Sequence, residues 1–263
     1  MKTTTQILAK TLFALVVLVA PAQAIDVNEI IKQSNLASYY AGNDGRAEAR
    51  MIIVDAQGNK QMRQFTILRK DQSDLGDQDM LVFFSRPTDV KGTVFRVTKK
   101  MTADDDRWLY LPALDLVKRI SAGDKRTSFV GAHFYYEDVS GRNPAEDNFT
   151  LLNDDGDSYL VKAQPKDPQS VEYAYYQVTI DKQSFIPMEV QYFNDQGKTI
   201  REMQVLKVEN IQGFPTVVHA KISQLNSGGY TEMQFRNVKY NIGLPNSIFS
   251  ERSLRTPPKT WLK

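Results

Sequence analysis

The sequence predicts a mainly β fold of the α+β kind: a curved antiparallel sheet of about ten strands, with helices covering or plugging its concave side. Three observations carry that expectation. Apolar and charged residues alternate with period two through much of the chain. Gly recurs with Asn or Asp at the reversals between those runs. Only one stretch keeps a helical period for more than two turns. A meander of that length tends to curl, because strongly twisted sheets curl, split or close as strands are added.

The first residues, Met1-Lys2, Lys10, then "TLFALVVLVA" and "PAQA", have the layout of a secretory signal peptide. The apolar run falls short of the roughly 20 residues that span a bilayer. Ala22 and Ala24 satisfy the small-residue rule, so residues 1–24 are expected to be removed after Ala24. Residues 25–263 then form a single domain in the periplasm, 263 − 24 = 239 residues long. No cysteine follows the cleavage site, so the exported chain is not lipidated and has no disulfides. Loss of Lys2 and Lys10 brings the 33 basic residues to 31, equal to the 31 acidic ones. A neutral chain of this kind is not expected to bind nucleic acid.

Asp26 can cap a helix and Glu29 completes a capping-box pattern. Val27, Ile30, Ile31 and Ala37 recur at helical spacing to about Tyr40, and Gly42-Asn43-Asp44-Gly45 ends the run. Strands follow at Ala47–Val54 and Met62–Arg69, joined by the turn "DAQGNK". Further strands are expected at Met80–Ser85, Gly92–Lys99, Arg107–Leu111 and Leu116–Ile120. Later, Met188, Val190 and Tyr192 alternate with Glu189 and Gln191, and "NDQG" turns the chain. Met203 and Val205, then Met233 and Phe235, alternate with Glu and Gln in the same way. Short helical pieces are expected near Ser128–Phe134 and Asn246–Glu251.

Reactive chemistry is sparse. His133 and His219 stand far apart, no HExxH or G-x-S-x-G occurs, and "NDDGD" (Asn153–Asp157) reads as a hairpin turn rather than a calcium loop. Neither catalysis, nor a metal, nor a cofactor is expected. What the chain does have is 12 Tyr, 13 Phe, 2 Trp and 8 Met. They either pack a β core or line an adaptable apolar cavity. Met51, Ile53, Val190, Tyr192, Met203, Val205, Met233 and Phe235 form the dry face by alternation. Phe65, Phe83 and Phe95 in the strands are further candidates for a cavity wall. Trp108, Tyr110, Phe129 and Phe134 are expected at its mouth, with Arg119, Lys125 and Arg126 placed to meet a polar head group or a partner.

The string "DDRWLYLPALDLVKRISAGDKRTSFVGAHFYYEDV", with upstream "LVFFSRPTDVKGTVF", resembles the LolA-like family of outer-membrane lipoprotein-sorting proteins. "IPMEVQYFNDQGKTI" and "FPTVVHAKISQLNSGGYTEMQF" are similar to that family's second half. The resemblance implies a LolA/LolB-like open barrel around helices, with a hydrophobic cavity for lipid or for lipoprotein acyl chains. It further implies a monomeric carrier served by an inner-membrane transporter of the RND/MMPL type, with a possible outer-membrane acceptor. An envelope sensor or adaptor built on the same fold is the alternative.

Overall fold

The computed structural model describes residues 25–73 and 75–262. The segment read as a signal peptide lies outside them. Thirteen antiparallel strands form one sheet, three more than the alternation alone suggested. Helix α1 (Val27–Tyr39) precedes β1 (Asp44–Val54), β2 (Lys60–Asp71), β3 (Gln78–Arg86), β4 (Val94–Lys99), β5 (Asp106–Leu111) and β6 (Leu116–Ile120). A crossover over residues 121–146, containing helix α2 (Tyr136–Ser140), leads to β7 (Asp147–Asn153), β8 (Ser158–Pro165) and β9 (Tyr175–Asp181). Next come β10 (Pro187–Phe193), β11 (Thr199–Ile211), β12 (Phe214–Gln224) and β13 (Tyr230–Tyr240), then a C-terminal segment with α3 (Arg252–Arg255).

The strand order is β6-β5-β4-β3-β2-β1-β13-β12-β11-β10-β9-β8-β7. Two meanders are thus stitched together at the middle of the sheet, where Met51 of β1 stands opposite Met233 of β13. The outermost strands, β6 and β7, do not pair, and the barrel stays open. Two of its hairpins repeat one device. The carboxylate of Asp55 accepts from the N–H groups of Gln57 and Asn59, and the side-chain oxygen of Asn194 accepts from those of Gln196 and Lys198. Gly58 and Gly197 supply the positive φ that each reversal needs.

Asp26 caps α1 by accepting from the N–H of Asn28. Glu29 does not complete the expected capping box; its carboxylate binds Gln33 and Lys32 instead. Ile30 of α1 packs on Tyr159, Val161, Val178, Ile180 and Val190 of β8–β10. The other half of the concavity is plugged by the crossover. Phe129, fully buried, sits among the rings of Phe84, Phe95 and Tyr136 at 5.5–5.6 Å. The expected helix at Ser128–Phe134 is instead a tight loop. Val130 and Gly131 both take positive φ, Ser128 bridges to Tyr135, and the Phe129 N–H donates to the Phe134 carbonyl.

The convex face of β2–β5 is also buried. Leu244, Ile248, Phe249 and Leu254 of the C-terminal segment cover Leu68, Leu81 and Val94 there. Asp44 holds that segment in place by accepting from the N–H groups of Ile242, Gly243 and Leu244. The helical piece expected near Asn246–Glu251 is a short 3₁₀ turn at Asn246–Phe249 followed by α3.

Candidate functional site

The lower half of α1 carries large apolar side chains, Val27, Ile30 and Ile31, which fill the space above the sheet. Its upper half carries Ser34, Ala37 and Ser38, and Ala41 follows two residues past its end. Side chains that small cannot reach the strands, so room is left beneath them. Two cavities, of about 250 Å³ and about 270 Å³, occupy it. They adjoin, sharing Ser38, Tyr39, Ile67, Met80, Ala220 and Phe235 among their walls. Each exceeds the roughly 150 Å³ of an apolar void that admits benzene. The first reaches Phe65, Phe129, Phe134 and Met233; the second extends along Met203, Val205, Val217 and Val238. Bulges at Leu206–Val208 shift the β11–β12 register just beyond Val205.

The helix end above this space is firmly held. The buried guanidinium of Arg69 donates to the carbonyls of Tyr39, Ala41 and Gly42 and pairs with Asp71. Gln78 also donates to the Tyr39 carbonyl. Across from it, Lys99, only 2% exposed, donates to the last carbonyls of α2 at Ser140 and Gly141. Burial lowers the pKa of that ammonium.

Beside the apolar cavities lies a buried charge network. Arg126 forks onto Glu172 at 2.6 Å and onto Glu137 at 2.7 Å. Lys125 reaches Glu137 and Glu146 at 2.9 and 2.6 Å. Arg142 binds Asp147, Glu146 and Glu137, and Arg201 pairs with Asp138. Burial alone would raise the Glu137 carboxyl, yet the cations of Arg126, Arg142 and Lys125 bring it down to about 2.

The sequence-derived candidates therefore separate into groups. Phe65, Phe129, Phe134, Met233 and Phe235 line the first cavity, and Met203, Val205 and again Phe235 the second. Val190 and Tyr192 face a third space of about 160 Å³ beside the charge network. Met51, Ile53 and Phe95 share the concave face but lie packed in the core. Phe83, Trp108 and Tyr110 do not face the cavity at all. They lie on the convex side under the C-terminal segment, because β3 and β5 are covered on both faces. Lys125 and Arg126 are not free to meet a head group, since buried carboxylates engage both. Arg119 is exposed, but on the convex side beside Trp108, where it pairs with Asp106. Sequence reasoning missed Ser38 and Ala41, whose signal was the run of small residues on one helix face.

His133 bonds Thr231 and His219 pairs with Glu232. Among the described residues no group of three or more His, Cys, Asp or Glu could hold a metal. No described helix is long and apolar enough to cross a membrane.

An open antiparallel sheet wrapped around one helix, with an apolar space between them, defines a LolA-like fold. The chain is similar to a protein of Vibrio parahaemolyticus described as an outer membrane lipoprotein-sorting protein domain, with 25% identity, a TM-score of 0.78, and coverage of 86% of this chain and 97% of that one. A DUF1329 family protein from Desulfovibrio piger is 26% identical, with a TM-score of 0.77 over 86% of this chain and 96% of that one. The LolA superfamily protein of Nitrosomonas europaea, at 16% identity, shares the fold with a TM-score of 0.67 over 87% and 99% of the two chains. No curated protein matches. A family model described as "Uncharacterized protein" matches residues 76–256, and the chain belongs to that family.

Proposed function

We propose that the protein is a periplasmic carrier that holds lipid, or the acyl chains of lipoproteins, in the groove beneath α1. One observation carries the reading: the adjoining, mainly apolar cavities lined by Ile67, Met80, Met203, Val205 and Phe235 beneath the small residues of α1. Each methylene taken out of water there stabilises the complex by about 0.8 kcal/mol, so a short run of acyl chain outweighs the cost of immobilising it. Val217 and Val238, both half-buried, stand in the wall of the second cavity. The similarity to a protein described as lipoprotein-sorting supports the same reading. Within this proposal the chain acts as a monomer after removal of residues 1–24. An inner-membrane transporter of the RND/MMPL type loads it, and an outer-membrane acceptor receives the cargo.

Mass spectrometry of organic extracts from protein purified out of its native envelope tests the proposal, paired with a transfer assay between donor and acceptor vesicles. Co-purified acyl lipid and accelerated transfer are expected. A protein that carries no lipid and moves none between vesicles is not a carrier.

A further inference from the structure

Among the described residues, the most exposed large apolar side chain is Leu114, at 71%, and Leu116, two residues on, is 45% exposed. Both stand at the tip of the β5–β6 hairpin, where Pro112–Leu114 form a 3₁₀ turn and Asp115 takes a positive φ of 45°. The tip is braced from behind. The Tyr110 hydroxyl donates to the Asp115 carboxylate at 3.2 Å, and Arg255 stacks on the Tyr110 ring and binds the same carboxylate. A second loop stands beside it. A Cβ on Gly92 would lie 3.4 Å from the Pro112 ring, so the turn at residues 87–93 and the hairpin tip share one end of the molecule. Surface leucines scattered singly are ordinary. Two of them, held outward on a braced tip, pack nothing there.

The acids at this end are largely neutralised: Asp115 pairs with Arg255 and Asp89 with Arg63. Lys91, Lys118 and Arg252 are exposed and have no carboxylate partner among the described residues, against Glu251 alone on the acidic side. An apolar point among unpaired bases fits a surface with phosphates outside and hydrocarbon beneath. We propose that the β5–β6 tip docks the protein on an anionic bilayer, with Leu114 and Leu116 entering the interface and Lys91, Lys118 and Arg252 meeting lipid phosphates. Val90 and Leu111, at the bases of the two loops, pack on the concave core that holds Phe65, Phe129 and Met233. Docking therefore turns the first cavity's end of the barrel toward the bilayer. The exposed Lys118 and Arg119 disfavour the other use of an open β6 edge, pairing with a second copy.

Co-sedimentation of the exported protein with vesicles tests this, using phosphatidylcholine alone and phosphatidylcholine mixed with phosphatidylglycerol. The wild type should bind the anionic vesicles roughly tenfold or more tighter than the neutral ones, and added salt should remove most of that preference. Leu114→Gln should weaken binding to both vesicle types by roughly tenfold. Lys118→Gln should weaken binding to the anionic vesicles alone, by roughly fivefold. Leu225→Gln, at a leucine 49% exposed just past β12, should change neither. Thermal midpoints should stay put in all three variants, because the side chains are on the surface. No vesicle binding, equal affinity for the two vesicle types, or equal losses in Leu114→Gln and Leu225→Gln overturns the proposal. Self-association that Leu114→Gln dissolves, without vesicle binding, gives the tip to a second copy instead. The carrier reading stands or falls separately: vesicle binding by a protein that carries no lipid sinks that reading and leaves the docking, and lipid carriage without vesicle binding does the reverse.

Discussion

Replacing Glu137 by Gln keeps the shape of the side chain and removes the charge around which Lys125, Arg126 and Arg142 are arranged. Glu137 is 1% exposed, so solvent screens these contacts little. Its carboxyl titrates at about 2 in the folded protein against 4.5 ordinarily, a gap worth about 3 kcal/mol in favour of the carboxylate. Because the folded-state value is depressed, that stabilisation is complete above pH 4.5 and fades as the pH falls toward 2. Urea unfolding of wild type and Glu137→Gln at pH 7, 4 and 3 measures it. The variant should be less stable by about 3 kcal/mol at pH 7, and the difference should shrink by roughly 1.4 kcal/mol per pH unit below 4.5. A difference under about 1 kcal/mol at pH 7 would show that burial cancels the ion pairs. A difference that does not change with pH would show that the carboxylate charge is not what holds the crossover.

Three further outcomes follow from the same geometry. Gly141 has a φ of +80°, and a Cβ there would lie 2.9 Å from the Tyr39 ring, so Gly141→Ala should cost about 1–3 kcal/mol in thermal or urea unfolding; an unchanged midpoint would mean that α1 and α2 are not locked together. Val205→Glu, at a half-buried position in the wall of the second cavity, should lower acyl-ligand affinity more than tenfold while shifting stability by less than about 1 kcal/mol; normal binding would place the ligand elsewhere. In a Trp261→Phe background, the emission of Trp108 should ignore acyl ligands, because Trp108 lies across the sheet from the cavity; a clear spectral shift would contradict that placement.

The first six strands are legible in sequence because sharp turns separate their alternating runs. β7 to β9 are less so. "NDDGD" and "PKDPQS" punctuate that region, and β7 is an edge strand exposed along much of its length. Alternation also picks out which residues share a face: Met51, Ile53, Met203 and Phe235 all point into the concavity. It cannot say which face is concave when both are dry. In β3, Met80, Val82 and Phe84 point inward while Leu81 and Phe83 point under the C-terminal segment, and a strand buried on both sides loses the polar half of its pattern. The charge network was hidden for another reason. Arg126 finds one partner 11 residues away and another 46 residues away, so nothing local distinguishes it from a solvated base. The cavity itself was written as an absence of bulk, at Ser34, Ala37, Ser38 and Ala41 in α1 and just after it.

The pairing of β1 with β13 dictates when the chamber can exist. Each meander can assemble from neighbouring hairpins as the chain emerges, but the floor beneath α1 needs β1, β2, β12 and β13 side by side. Those strands come from opposite ends of the chain, and ladders between distant segments form late. A chain cut before Tyr230 lacks β13 and with it part of that floor. Possession of the hollow is therefore a certificate that the chain extends through β13: a fragment that stops short of Tyr230 lacks the strand that brings Met233 and Phe235 into its wall.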